Sequence, residues 1–201
     1  LSGKPQREDE TLYSVIPAEP VTRETLTRIL SDVYDGTKYD LTKLPGGDPF
    51  ADVTPDYALC RRGTVASIAA DYTPETGSVL WTAIATPRMS FYMPLFPDMD
   101  ALPVFCEAYL PGEGENTSLF WEFKELCILT QRRFAAHMEI TGRAKQRWET
   151  AAAERLAAES RRIAQLPEAE RRAARGAFNR AVLASAIEAC RETRHALLLQ
   201  Y

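Results

Sequence analysis

The chain has 201 residues, of which 45% are hydrophobic and 26% are charged, and its formal net charge is −4. This composition is typical of a soluble globular protein that buries a core, and it excludes an intrinsically disordered chain. The sequence has no apolar run long enough to cross a bilayer, and the arginines of its C-terminal third alternate with glutamates. Such alternation is typical of solvated helix faces, so we expect neither a membrane span nor nucleic-acid binding.

The cysteines and histidines lack the spacing of a metal site. The chain contains no CxxC pair, and its residues of these two types are Cys60, Cys106, Cys127, Cys190, His137 and His195. We therefore expect no metal ion and no other cofactor, and we expect the cysteines to be small buried residues, although their even number also permits disulfides. The charged N-terminal segment is not a signal peptide, and the compartment stays open because a precursor can lose its signal.

The chain divides into three parts. Residues 1–20 are polar and contain prolines, which predicts an extended lead-in, whereas 21–116 combine a helix, a long loop and strands, and 117–201 are helical. In the second part Thr22 is expected to begin a helix and Gly36 to end it. The apolar residues of that helix share one face by their spacing: Leu26, Ile29, Leu30 and Val33. The Gly-, Pro- and Asp-rich segment that follows predicts an ordered loop.

Two apolar, partly β-branched runs predict strands. They cover 64–70 and 79–86, and the turn residues at 73–77 predict a short connection between them. The segment 90–94 extends the pattern, with prolines marking its ends or an edge. From Ser118 onwards the sequence predicts helices, including an Ala-, Arg- and Glu-rich segment at 142–165. A final helix is expected after Pro167, ending near Leu199, and the apolar residues of these helices are expected to pack on the protein's own sheet.

Several motifs follow one another in an order that resembles a known family. They are YDGTKYD at 34–40, CRRGT at 60–64, VLW at 79–81, the residues Pro87, Ser90, Tyr92 and Pro94, and FWEF at 120–123. Together they resemble the C-terminal part of the dipeptidase/secernin family of N-terminal-nucleophile (Ntn) cysteine hydrolases, from about residue 11 to the end.

The resemblance implies an α+β fold: the C-terminal half of a four-layer αββα sandwich, with a long helical C-terminal segment. It also implies catalysis by an N-terminal cysteine whose free α-amino group acts as the base, since an α-amine titrates near neutrality. Leu1 carries no nucleophile. We therefore expect residues 1–201 to be the C-terminal subunit or fragment of one Ntn domain, and its partner to be the N-terminal chain of the same precursor. Higher homo-oligomers stay open.

Four residues are candidates for the site by this resemblance. Arg61 matches an arginine that precedes a central strand, where a guanidinium would lower the pKa of the thiol or hold a substrate carboxylate. The alternative is a surface arginine bonded to a carbonyl. Arg62, the next residue, and Ser90 and Tyr92, which follow a strand, are the candidates for contact with the peptide substrate, and the alternative for them is a structural role.

Two functions fit the sequence. The first is one half of a cysteine dipeptidase that hydrolyses short peptides without a metal. The alternative is a catalytically silent, secernin-like scaffold or interaction protein. The first residue of the N-terminal partner discriminates between them: a cysteine there supports the enzyme, whereas serine, threonine or a residue without a nucleophile weakens it.

Overall fold

A computed structural model describes residues 17–43, 48–50, 58–74, 77–98 and 118–200. Within these ranges the chain forms a three-stranded antiparallel sheet and four α-helices, so the α+β prediction is confirmed. Most of the predicted lead-in, 1–16, lies outside the described residues. The elements in chain order are α1 (Arg23–Leu30), a short 3₁₀ helix (Leu41–Lys43), β1 (Ala66–Thr73), β2 (Gly77–Ile84), β3 (Met93–Leu95), α2 (Leu119–Arg132), α3 (Phe134–Ala164) and α4 (Glu168–Leu198).

Helix α1 begins as predicted and ends earlier than predicted. Thr22 is its N-cap, and the Thr22 side chain accepts a hydrogen bond from a backbone N–H of the first turn. The helix stops at Leu30, so the prediction that Gly36 ends it is wrong. The Asp32 carboxylate accepts the Tyr34 N–H at 3.0 Å, and this local turn competes with further helix. Gly36 instead lies in the next turn, with φ +72°.

The predicted hairpin is confirmed, with both strands shifted along the chain. β1 and β2 pair in register from Ala66 opposite Ile84 to Thr73 opposite Gly77. The predicted bounds, 64–70 and 79–86, are wrong by a few residues because the turn sets the register. Gly77 has φ +73°, which a glycine adopts at little cost where the chain reverses. β3 is an edge of the described sheet and includes Pro94, as predicted, since an edge tolerates a residue without an N–H.

The helical C-terminal part begins where the sequence predicted it. Ser118 is the N-cap of α2, and its Oγ accepts the Trp121 N–H at 3.3 Å. Helix α3 begins at Phe134, whose buried ring packs edge-on against Phe50, and it contains nearly all of the Ala-, Arg- and Glu-rich segment at 142–165. Helix α4 follows Pro167 and ends at Leu198, as expected.

One face of the sheet is covered by the protein's own helices, as predicted. Val79, Trp81 and Ala83 of β2 are buried there. Just after β3, the Phe96 ring packs edge-on against Phe178 of α4, with centroids 5.5 Å apart. We call this side the covered face.

A buried amide fastens α4 to the chain beyond β3. Asn179 is fully buried, and its Oδ1 accepts the Phe96 N–H at 2.9 Å while its Nδ2 donates to the Phe96 carbonyl at 2.8 Å. One side chain thus satisfies both backbone groups of Phe96, as a neighbouring strand would do.

The other face of the sheet is apolar and poorly covered within the described residues. Alternate residues of β1 point away from the helices, and of these Ile68 is 56% exposed and Tyr72 is 71% exposed. Leu80, Ile84 and Leu95 lie on the same side by the strand register and are partly exposed. We call this side the open face. A single sheet with helices on one face is compatible with half of an αββα sandwich.

A buried carboxylate holds α2 against α4. Glu122 is 4% exposed, and its side chain accepts hydrogen bonds from Arg191 and lies 3.0 Å from Nη1 of Arg194. Because two guanidinium groups face one buried carboxylate, its charge is compensated. This contact ties α2 to α4 on the side of α2 that carries Glu122.

Candidate functional site

Two cavities flank the turn that follows β2. The first, of about 520 Å³, lies between α1, α3 and the covered face, and we call it the α3 cavity. Its lining includes Arg23, Trp81, Tyr92, Lys145, Glu149 and Glu154. The second, of about 440 Å³, lies between α2 and the segments before β1 and after β2, and we call it the α2 cavity. It is lined by Asp48, Arg62, Thr86, Met89, Lys124, Cys127, Ile128, Gln131 and Arg132.

The turn between the cavities is strained at its first residue. Ala85 has φ +64° and is fully buried, a left-handed conformation that a residue with a Cβ rarely adopts. Its N–H donates to the Val65 carbonyl at 2.7 Å, which holds it in place. Strain of this kind persists only where the surroundings impose it, and it is often found at functional sites.

An arginine ties the same turn to the end of α1. Arg88 donates from both terminal nitrogens to the Asp35 carboxylate, at 2.6 and 2.7 Å. Its Nη1 also lies 3.4 Å from the Ser31 carbonyl oxygen. This paired geometry fixes orientation as well as distance. Arg88 therefore acts as a support for the turn.

Lys145 of α3 reaches the turn from the other side. Its Nζ donates to the carbonyls of Pro87 at 2.9 Å and Ser90 at 2.5 Å, and lies 3.0 Å from the Glu149 carboxylate. Burial lowers the pKa of Lys145, and the neighbouring Glu149 counteracts that effect. The ammonium thus closes the turn from the side of the α3 cavity.

Tyr92 is held rigidly in the wall of the α3 cavity. It is 1% exposed, its hydroxyl is 2.9 Å from the Ser67 Oγ, and its N–H donates to the Glu149 carboxylate at 2.7 Å. The Lys145 Nζ sits over its ring, 4.8 Å from the centroid. Burial raises the pKa of the phenol, so the hydroxyl stays neutral and able to donate a hydrogen bond.

The α2 cavity has a helical wall that follows from residue spacing. Lys124, Ile128 and Gln131 recur at helical intervals and so share one face of α2. The Gln131 amide donates to the Asp48 carboxylate and to the Phe50 carbonyl, both at 3.0 Å. These bonds place the segment around Asp48 at the rim of the cavity.

Arg61 lies in an exposed turn and lines neither cavity. Its Nε donates to the Ala58 carbonyl at 3.3 Å, and its N–H donates to the Thr64 Oγ1 at 3.2 Å. This is the geometry of a surface arginine bonded to a carbonyl, the alternative that the sequence left open. The supporting catalytic role of Arg61 stays a prediction.

The structure does not bring the four candidate residues into one site. Tyr92 lines the α3 cavity and Arg62 lines the α2 cavity. Ser90 is fully buried, and its Oγ has no hydrogen-bond partner among the described residues. Their contacts with substrate stay predictions.

Sequence reasoning missed the charged residues that α2 and α3 bring to the cavities. Lys145 and Glu149 are an i,i+4 pair, and this spacing was the available signal. Helices rich in Arg and Glu contain many such pairs, so the spacing does not distinguish the pair that faces a cavity. Lys124 and Arg132 were missed because the local sequence does not distinguish them from the other cations of these helices.

The described cysteines are buried thiols, as predicted. Cys60, Cys127 and Cys190 are free, and burial raises the pKa of Cys60 to about 11, of Cys127 to about 11 and of Cys190 to about 12. A thiol of that kind is almost fully protonated at neutral pH, and the thiolate is the nucleophilic form. None of these three is therefore poised as a nucleophile. Cys106 lies outside the described residues.

The described ranges contain no group of three or more His, Cys, Asp or Glu side chains arranged to hold a metal ion. His137 is buried, with its Nδ1 2.7 Å from the Leu129 carbonyl oxygen, as expected of a core histidine. Each helix in those ranges is also too short or too polar to cross a bilayer.

Comparison with known proteins gives one family. The family model described as peptidase family C69 matches residues 4–147, which is most of the chain. No curated protein matches the chain. The matched range includes all three strands, α1, α2 and every residue of the α2 cavity.

Proposed function

The chain belongs to peptidase family C69, and we propose that it is the C-terminal part of a dipeptidase whose nucleophile is an N-terminal cysteine in another chain of the same precursor. Membership of a peptidase family indicates hydrolysis of peptide bonds. The match over residues 4–147 is the observation that carries the proposal. The two chains would form one Ntn domain, produced by cleavage of the precursor.

The buried thiols of the described residues support a nucleophile supplied from elsewhere. A cysteine peptidase needs a thiolate near neutral pH. Cys60, Cys127 and Cys190 are buried and their pKa values are raised. An N-terminal cysteine avoids this problem, because its own α-amine titrates near neutrality and can take the proton of the thiol.

The open face supports a partner that completes the sheet sandwich. Ile68 and Tyr72 are largely exposed on it, and β1 is an edge of the described sheet. Soluble proteins cover such apolar faces and edges. A second sheet contributed by the N-terminal chain would cover this face and would bring the cysteine into the same domain.

The test is hydrolysis of dipeptides by the protein assembled from its whole precursor. We expect an alkylating agent to abolish hydrolysis and a chelator to leave it intact, because the proposed reaction uses a thiol and no metal. Loss of activity in a chelator, restored by zinc, would contradict the proposal. No hydrolysis of any short peptide would favour the silent, secernin-like scaffold.

Variants of this chain locate the reactive thiol. Cys60→Ala, Cys127→Ala and Cys190→Ala should each retain hydrolysis and its sensitivity to alkylation, since none of these thiols is the nucleophile. Thermal melting of each variant should accompany the assay. A folded variant that has lost turnover would place the nucleophile in this chain and overturn the two-chain arrangement.

A further inference from the structure

We propose that the α2 cavity is a carboxylate site that binds the C-terminal end of a peptide, with the carboxylate at a cationic rim and the side chain against an apolar floor. This inference rests on the proposed peptidase function and adds to it the part of the substrate that is recognised. The residues that carry it are Arg62, Lys124 and Arg132 at the rim, and the buried Met89 and Cys127 below.

The charge of the cavity favours an anion. Among the described residues, three cationic side chains line it, against one carboxylate, that of Asp48. Both oxygens of Asp48 are already hydrogen-bonded, one to the Phe50 N–H at 2.9 Å and the other to the Gln131 amide at 3.0 Å. The carboxylate is therefore occupied in holding the rim, and an excess of positive charge faces the cavity.

Two of the cations have no acidic partner within ion-pair distance in the described chain. Lys124 donates only to a neutral group, the Arg62 carbonyl, at 3.3 Å. Arg132 has no ion pair in that part of the chain, in contrast to Arg191 and Arg194, which share Glu122. Helix α2 thus compensates the arginines of α4, whereas Lys124 and Arg132 have no acid beside them among the described residues and can interact with an anionic ligand.

The floor of the cavity favours a ligand that has an apolar group next to its carboxylate. Met89 and Cys127 are almost fully buried there, whereas Ile128 is 41% exposed and can cover a ligand. An apolar side chain next to the carboxylate would be buried against this floor, and that burial would strengthen binding. An inorganic anion has no apolar group and would not bind more tightly because of the floor. The volume of about 440 Å³ is within the range of small-molecule sites.

The position of the cavity connects it with the candidate turn. Thr86 and Met89 belong to the turn that begins at the strained Ala85, and Arg62 precedes β1. The same turn continues to Tyr92 in the α3 cavity. A ligand in the α2 cavity would therefore contact a segment that Lys145 and Arg88 hold rigid.

The experiment compares two probes whose amino group is acetylated and therefore neutral, N-acetyl-leucine and N-acetyl-leucinamide, by calorimetric titration of the assembled protein. They differ in the carboxylate alone. We expect the acid to bind about tenfold more tightly than the amide, as a charge-assisted hydrogen bond allows, and the Lys124→Gln/Arg132→Gln variant to lose that preference. Acetate should bind more weakly than N-acetyl-leucine because it lacks the apolar group.

The matched control removes the same charge elsewhere. Arg147→Gln/Arg161→Gln changes two exposed positions of α3 and should keep the preference for the acid. Equal binding of acid and amide by the parent, or a preference that survives Lys124→Gln/Arg132→Gln, would overturn the carboxylate site. Equal affinity for acetate and N-acetyl-leucine would overturn the role of the floor.

Hydrolysis of Ala-Leu, measured on the same preparations, separates this inference from the proposed function. Hydrolysis without a preference for the acid overturns the carboxylate site and supports the peptidase. A preference for the acid without hydrolysis of any dipeptide supports the site and overturns the peptidase. Hydrolysis whose KM rises in Lys124→Gln/Arg132→Gln, with kcat unchanged, supports both.

Discussion

The two faces of the sheet both carry apolar and aromatic residues, but these residues are buried on one face and exposed on the other. On the covered face Trp81 is 2% exposed, whereas on the open face Tyr72, in the neighbouring strand, is 71% exposed. Both are aromatic residues in a hairpin of regular register. The difference teaches that strand propensity alone does not decide burial, because the described helices cover the Trp81 side of the hairpin and leave Tyr72 exposed on the other.

The largest expected effect breaks the covered face. Trp81→Ala should cost about 3–5 kcal/mol of the free energy of unfolding, because it opens a cavity and removes the ring beneath the Arg23 guanidinium, whose centre is 4.0 Å from the ring centroid. Tyr72→Ala, the matched aromatic change on the open face, should stay within about 0.5 kcal/mol in the 201-residue chain. Urea unfolding compares them, and equal losses would refute the difference between the faces.

A smaller loss in the free energy of unfolding is expected when the contact between α4 and the segment after β3 is removed. Asn179→Ala leaves the N–H and the carbonyl of Phe96 without their partners and should cost about 2–4 kcal/mol. Asn179→Asp keeps the acceptor and removes the donor, so its thermal midpoint should lie between those of the parent and the alanine variant. An alanine variant as stable as the parent would show that this contact contributes nothing.

The smallest effect on stability sharpens the description of the open face. Ile68→Lys should change the free energy of unfolding by less than about 0.5 kcal/mol, because the side chain is already exposed. It should nevertheless reduce self-association of the 201-residue chain, since it places a charge on an uncovered apolar face.

Sedimentation velocity measures that self-association. Ala83→Lys, on the fully buried opposite side of the sheet, is the control and should prevent folding. A parent chain that is monomeric at high concentration would contradict the prediction. So would a large loss of stability in Ile68→Lys, because that face would then be covered by the chain itself.

Local chemistry explains the parts of the fold that were predictable. Thr22 and Ser118 both accept a backbone N–H at a helix start, and Gly77 adopts the positive φ of the hairpin turn. These features depend on neighbours in the sequence. The predicted end of α1 at Gly36 failed because the Asp32 side chain ended the helix first, a competition that residue patterns do not rank.

The candidate site was less predictable because its residues come from distant segments. Arg62 and Lys124 meet at the α2 cavity, and Tyr92 meets Lys145 at the α3 cavity. Nothing in the local sequence of either lysine distinguishes it from other helical cations. The motif residues near 61 and 90 lie in turns beside the two cavities, but they did not identify the helix residues that face those turns.

The sequence by itself determined the class of the fold, the hairpin, the helical C-terminal part and the family, since each depends on short-range periodicity, capping or ordered motifs. The tertiary structure alone decided which side of the hairpin the helices cover and which cations have no acidic partner among the described residues. The physical reason is that burial and charge compensation depend on residues far apart in sequence, such as Glu122 with Arg194, and Phe96 with Asn179.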